Sequence, residues 1–317
     1  MECPESIEKL DELEKLIPLC KVTLYEQAQA RLKSGAAKSE REASQQIAEE
    51  LDKSPGSIRR QIQRGKEEAA QSAPLNLTDS DKATILKFGK SIQKEQKEQR
   101  QSEIQKEREV LSESAEQVPP SERWHVECAD IKTWQAPHQY DFIITDPPYP
   151  KEYLPLYSVL AKRATEWLRP GGLLIAMCGQ SYVNQIYQLL SENLKYYWTA
   201  CYLTPGQPTP LRQINVNTTW KPLLIYQNGS YNGKTFGDVF KSEANDKSFH
   251  KWGQSESGMR DVISKICLPG QHILDPFLGA GTTGLAAIEH DCFFDGIDIE
   301  DENVKIAKVR LYDKTKK

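Results

Sequence analysis

Ile273-Leu274-Asp275-Pro276-Phe277-Leu278-Gly279-Ala280-Gly281-Thr282-Thr283-Gly284 is the stretch on which the fold turns. It starts as a short strand, passes through a glycine turn and runs on into an apolar helix, Leu285–Glu289. Glycines let a ligand approach the backbone, and the helix N-terminus offers unpaired N–H groups to an anion such as a carboxylate. No lysine follows the glycines, so this is not an ATP loop. The next strand ends in Gly296-Ile297-Asp298, about 17 residues beyond Gly281 and close to the roughly 20 at which a carboxylate grips ribose hydroxyls in nucleotide folds. A ribose-bearing cofactor with an anionic end fits this pattern.

Upstream, Trp124–Cys128, Asp141–Thr145, Leu173–Met177, Tyr196–Leu203 and Leu223–Tyr226 read as further short strands, joined by Ile273–Leu274 and Phe293–Ile297. Helical stretches separate most of them, which implies an α/β fold with a mainly parallel sheet and ligands beyond the carboxyl ends of its strands. One strand runs directly into Asp146-Pro147-Pro148-Tyr149. The prolines cannot continue a ladder and hold the chain stiffly, so an acid, a carbonyl and an aromatic ring are fixed near one another.

Composition changes near Val118-Pro119-Pro120: all six tryptophans follow it, while Glu, Lys and Gln dominate before it. The expected domains are a helical one over 1–70, a charged helical linker over 71–120 and an α/β domain over 121–317. Thr23 with Glu26 and Ser39 with Glu42 have capping-box spacing, and Gly35 can close the helix between them. Ala43, Ile47 and Leu51 recur at fours, Asp52–Gly56 interrupts, and Ile58 and Ile62 resume, with Ser54 as cap and Pro55 at the first helical position. Residues 39–66 thus resemble a helix-turn-helix whose second helix carries Arg59, Arg60, Arg64 and Lys66 for phosphates. A helical hairpin with a solvated basic face has the same pattern.

The net charge of -4 does not by itself exclude nucleic acid, because local basic faces decide such binding. No apolar run approaches the roughly 18 residues of a membrane span, and the start lacks a secretory pattern, so an intracellular, cytoplasmic protein is expected. Seven cysteines without a Cys-x-x-Cys pair predict neither disulfides nor zinc; Cys178, Cys201, Cys267 and Cys292 read as buried, reduced side chains. No metal is expected.

Together the two motifs resemble the amino-group DNA methyltransferases that use S-adenosylmethionine, in the class whose catalytic motif precedes the cofactor motif. The resemblance covers about residues 121 to 312 and implies a Rossmann-like, seven-stranded methyltransferase sheet in circularly permuted order, with an α-helical N-terminal extension. It assigns Asp275, Pro276, Phe277, Gly279 and Gly281 to the cofactor loop, and Thr282 and Thr283 to the neighbourhood of the methionine carboxylate. Asp298 becomes the ribose acid. Asp130 becomes the acid near the adenine, with a simple cap for Ile131–Trp134 as the lesser reading. Where the family carries a Gln-Lys-Pro-like segment, this chain has His250-Lys251-Trp252-Gly253-Gln254-Ser255-Glu256, from which Gln254 is carried over as a cofactor contact.

The resemblance further implies direct methyl transfer to an exocyclic amine, with Asp146 and the Pro147 carbonyl accepting the amine's hydrogens and Tyr149 stacking on a base taken out of the duplex. An Asp at the first position resembles the adenine-N6 enzymes; cytosine N4 or an RNA amine is the alternative. Double-stranded DNA is the expected partner, read by target-recognition segments within 203–253, where Arg212 and Lys221 supply cations beside aromatic residues. The N-terminal helices are assigned to DNA, to a protein partner or to self-association. A DNA-binding regulator with a vestigial methyltransferase domain is the reading from another class.

Overall fold

The computed structural model describes residues 21–51, 53, 55–69, 98–99, 101–204, 209–211, 215–243 and 255–316. Two compact units divide the chain, Met1–Glu103 and Ile104–Lys317.

The larger unit is built on one mixed sheet of eight strands: β1 (Trp124–Cys128), β2 (Tyr140–Thr145), β3 (Leu168–Met177), β4 (Lys195–Leu203), β7 (Trp220–Gln227), β8 (Val239–Lys241), β9 (His272–Asp275) and β10 (Phe293–Asp298). Their spatial order is β1-β10-β9-β2-β3-β7-β4-β8. Strands β1, β10, β9, β2 and β3 pair in parallel, β7 runs antiparallel to both β3 and β4, and β4 pairs in parallel with β8. All seven expected strands are present. The short β8 adds an eighth at the edge, and β5 (Thr209–Leu211) pairs with β6 (Val216–Thr218) in a separate hairpin.

Central strands are apolar on both faces, as a helix-covered parallel sheet requires. Ile143 and Leu274 pack with Tyr157, Leu160 and Ala164 of α5 (Pro155–Trp167) and Ile186 and Leu190 of α6 (Val183–Ser191). Phe142 and Ile273 face the opposite cluster, with Met259, Val262 and Ile263 of α7 (Glu256–Ile266), Leu285 and Ala286 of α8 (Thr282–Glu289), and Val304 and Ala307 of α9 (Asp301–Thr315). Helix α8 sits so close to the sheet that a Cβ on Gly284 would lie 2.5 Å from the Phe294 ring.

This unit begins before the composition change that was expected to mark it. In helix α4 (101–114), Arg108 bonds Glu302 at 2.8 Å and Asn303 at 3.0 Å. Ala115 and Val118 are part of the same buried cluster as α7 to α9, and Leu111 packs against it. Charged residues on the other faces of this helix hid its apolar contacts in the sequence.

The smaller unit contains α1 (21–33), α2 (Glu40–Glu50) and α3 (Pro55–Ala69) around Leu24, Ala28, Ala43, Ile47, Ala48, Ile58 and Ile62. Ser39 caps α2, its hydroxyl accepting from Glu42 N–H at 3.2 Å, and Gly35 takes the left-handed conformation (φ 75) after α1. Thr23 is no cap: it is fully buried inside α1, because Val22 and Leu24 already belong to the apolar face. The expected cap Ser54 lies outside the described residues. Arg59, Arg60, Arg64 and Lys66 are all exposed on α3. Gly65 permits a close crossing, since a Cβ there would lie 1.9 Å from the Lys21 carbonyl oxygen.

Among the described residues no helix is long and apolar enough to cross a membrane.

Candidate active site

Strand order fixes where the chemistry can occur. From β9 the chain goes to β10 on one side, while its other neighbour, β2, comes from 130 residues earlier. The change of direction lies between β9 and β2, and ligands of such sheets bind at the carboxyl ends beside it. Asp275 ends β9, Asp298 ends β10, and Asp146 follows β2.

Asp275 joins the two motifs. It is buried, and its carboxylate accepts from Thr145 Oγ1 at 2.6 Å, Thr283 Oγ1 at 2.6 Å and Phe277 N–H at 3.1 Å. Burial pushes its carboxyl up to about 6 against the lowering effect of these three donors. The glycine turn and the Asp146 loop are thus held to one buried group. Thr283, expected near a ligand, instead spends its hydroxyl on Asp275. Gly279 (φ 50) and Gly281 (φ 79) adopt the left-handed conformation that side chains disfavour. A Cβ on Gly279 would meet nothing within 4 Å, so the turn is open there, whereas at Gly281 it would press on Ala307 Cβ at 2.9 Å. Pro276 is buried, and Phe277 packs on the α5–α6 side of the core.

Asp298 Oδ2 accepts from Gly279 N–H at 2.8 Å, while its Oδ1 accepts from Glu300 N–H at 2.9 Å and Asn303 Nδ2 at 3.2 Å. The ribose-acid position therefore also sets the glycine turn. Ile299 beside it is 72% exposed, an apolar side chain that the motif did not single out. Ala129 N–H donates to the Asp298 carbonyl at 2.9 Å, which brings Asp130 to the same edge. Asp130 acts as a turn cap there, its Oδ1 accepting from Lys132 N–H at 2.9 Å.

The Asp146 loop is held differently. Tyr149 donates its hydroxyl in a short hydrogen bond to Asp146 Oδ1, and burial together with that carboxylate raises its pKa well above the ordinary phenol value. It remains a donor at neutral pH. Lys221, assigned to DNA from the sequence, has its Nζ 3.0 Å from Tyr149 Oη and 3.8 Å from Asp146 Oδ2, beside the Asp146 loop. The reason is strand direction: β7 is antiparallel to β3, so its start lies at the carboxyl edge. Nearby Cys178 is a buried thiol pushed up to about 12 by burial and by Asp146, which rules it out as a thiolate nucleophile at neutral pH. Cys267 and Cys292 are also buried, whereas Cys201 is only partly so.

Gln254 and Arg212 lie outside the described residues. The cations Arg59, Arg60, Arg64 and Lys66 belong to the other unit. Arg310, on α9, braces the glycine turn by bonding the Ala280 carbonyl and Glu256. Among the described residues no group of three or more His, Cys, Asp or Glu side chains is arranged to hold a metal.

Residues 226–309 match the family described as DNA methylase (N6_N4_Mtase). The type II methyltransferase M2.DpnII of Streptococcus pneumoniae is 38% identical over 85 residues, 25% of this chain and 31% of that protein. The match thus spans about a third of that relative's length. Type II methyltransferase M.HpaI of Haemophilus parainfluenzae is 26% identical over 214 residues, 54% of this chain and 68% of its own. The solved structure of the PvuII DNA methyltransferase (cytosine-N4-specific) superposes with a TM-score of 0.51 at 15% identity, covering 60% of this chain and 86% of that one. The larger unit accordingly has the α/β fold of the DNA methyltransferases. The sequence matches make residues 226–309 similar to the N6/N4 DNA methylases, and the curated relatives above 30% identity are matched over about a third of their length.

Proposed function

We propose that the chain is a site-specific DNA methyltransferase that moves a methyl group from S-adenosylmethionine to the N6 amine of an adenine turned out of the duplex. The observation that carries this reading is the Thr145–Asp275 bridge, which ties the loop of Asp146 and Tyr149 to the glycine turn of Gly279 and Gly281. An acceptor for an amine and a turn suited to a ribose-bearing ligand are thereby fixed at adjacent strand ends.

The residues present fit that cofactor: Gly279 is open, Asp298 ends the neighbouring strand, and α8 presents its N-terminus. Gly279, Gly281, Thr282, Asp298 and Ile299 would hold it, with Asp275 and Thr283 acting behind them. Asp130 and Gln254 remain assigned to it by resemblance. When bound, the cofactor supplies an electrophilic methyl on a sulfonium.

Aromatic amines are poor nucleophiles because their lone pair is delocalised into the ring. If Asp146 and the Pro147 carbonyl accept the two amine hydrogens, the nitrogen is drawn toward a tetrahedral form and its lone pair is aimed. Pro147 and Pro148 keep those acceptors stiff, and such positioning supplies much of the rate. Tyr149 offers its ring to the base, whose extrusion costs a few kcal/mol. The exposed Arg59, Arg60, Arg64 and Lys66 of α3 support a role in holding DNA phosphates.

Purified protein incubated with mixed-sequence DNA and methyl-labelled S-adenosylmethionine, followed by nucleoside digestion and mass analysis, tests the reading. Label in N6-methyladenine, lost in Asp146→Ala, is expected. N4-methylcytosine would retain the chemistry and change the base. Absence of label despite cofactor binding would overturn the DNA reading and favour an RNA amine or the regulatory role of the helix-turn-helix.

A further inference from the structure

We propose that Lys221 reads the target base, donating a hydrogen bond to the ring nitrogen next to the amine that Asp146 accepts. This rests on the methyl-transfer reading and adds a specificity-determining residue to it.

Three observations lead there. First, Lys221 Nζ and Asp146 Oδ2 are 3.8 Å apart, too far for a hydrogen bond, and their side chains are 34% and 14% exposed. They stand side by side as a donor-only cation and an acceptor-only anion. Second, the ammonium's one hydrogen bond among the described residues goes to Tyr149 Oη, so donors remain on it. Third, the Tyr149 hydroxyl already bridges the two groups, donating to Asp146 and accepting from Lys221. A small group that donates on one side and accepts on the other is what this pair is built to take.

The amine edges of two bases have that pattern. Adenine presents its N6 amine beside the N1 acceptor, and cytosine its N4 amine beside the N3 acceptor. Guanine and thymine reverse it, with a carbonyl oxygen beside a ring N–H. In the same pose they would set an oxygen against the Asp146 carboxylate and an N–H against the Lys221 ammonium. Such a mismatch rejects far more strongly than loss of a contact, because the charged groups are left unpaired. Base entry then means that the base edge replaces the Tyr149 hydroxyl between Asp146 and Lys221 and leaves the ring to stack.

The test uses duplexes carrying the methylated sequence with the target adenine replaced by 1-deazaadenine, which keeps the amine and replaces N1 by C–H. Single-turnover rates are measured for the wild-type protein, Lys221→Met and Lys221→Arg. Wild type is expected to lose about 10- to 100-fold on 1-deazaadenine, the range for a hydrogen bond to a charged group. Lys221→Met should lose a similar factor on adenine and nothing further on the analogue, while Lys221→Arg restores part of the discrimination. A 7-deazaadenine target, which keeps N1, should slow wild type and Lys221→Met by equal factors. If the target is cytosine, 3-deazacytosine takes the place of 1-deazaadenine. Additive losses in the variant and the analogue, or a wild type indifferent to N1, would overturn the assignment while methyl transfer stands. A wild type that labels neither base would overturn the methyl-transfer reading, and the assignment with it.

Discussion

Asp275 and Asp298 look alike in the sequence, each an acid at the end of a short strand, but their surroundings give them different work. Asp275 is internal, and its folded carboxyl value of about 6 stands above the ordinary carboxylate value. Between about pH 4 and 6 the folded state therefore holds more proton than the unfolded state, and stability contributed by this group falls as pH rises. Denaturation profiles should show wild type losing about 3 kcal/mol relative to Asp275→Asn over that interval and a constant difference above pH 7; a constant difference throughout would refute the coupling. Asp298 is partly exposed and orders Gly279 directly. Asp298→Ala is expected to weaken S-adenosylmethionine binding about 10- to 100-fold by calorimetry, with little change in thermal stability. The positions of both acids, and of Asp146 and Tyr149, were legible because each follows an apolar run that can only be a strand. Where their side chains point was not: Thr283 turns inward to Asp275, and the surroundings of Lys221 depended on the register of β7 against β3, which composition does not encode.

Elements were legible in proportion to their apolar pattern. The strands of the central sheet stand out as short apolar runs, whereas β8, with Phe240 as its one buried residue, has too little sequence to declare itself. Thr23 resembles a cap because a Thr-x-x-Glu spacing inside a helix looks the same as one at its end. Two predictions belong to this scale. Gly65→Val should destabilise the packing of α3 on α1, lowering the denaturant midpoint of the smaller unit, because its side chain would collide with the Lys21 backbone; overpacking of this kind costs roughly 1–3 kcal/mol. Replacing Arg59, Arg60 and Arg64 with alanine should lower DNA affinity and reduce the slope of log K against log salt by about 2 to 3, if α3 meets phosphates. An unchanged slope would remove α3 from the DNA contact.

For the molecule as a whole, the permuted strand order followed from the resemblance to the class whose catalytic motif precedes its cofactor motif, as the Asp146 motif here precedes the glycine turn. The boundary of the larger unit was not legible, since a helix rich in charge conceals the few residues that dock it. A chain beginning at residue 104 should keep the thermal stability of that unit, whereas one beginning at residue 121 loses Arg108, Leu111, Ala115 and Val118 from its packing and should melt several degrees lower. Equal melting temperatures would show those contacts to be dispensable. The bridge between Thr145 and Asp275 also has a history in time. At synthesis rates of about 5–20 residues per second, the loop that would hold the base leaves the ribosome roughly 10 seconds before the segment that anchors it. For that interval the loop proposed to hold the base exists without the turn proposed to hold the cofactor, so methyl transfer by a nascent chain would have to wait for the synthesis of β9 and β10.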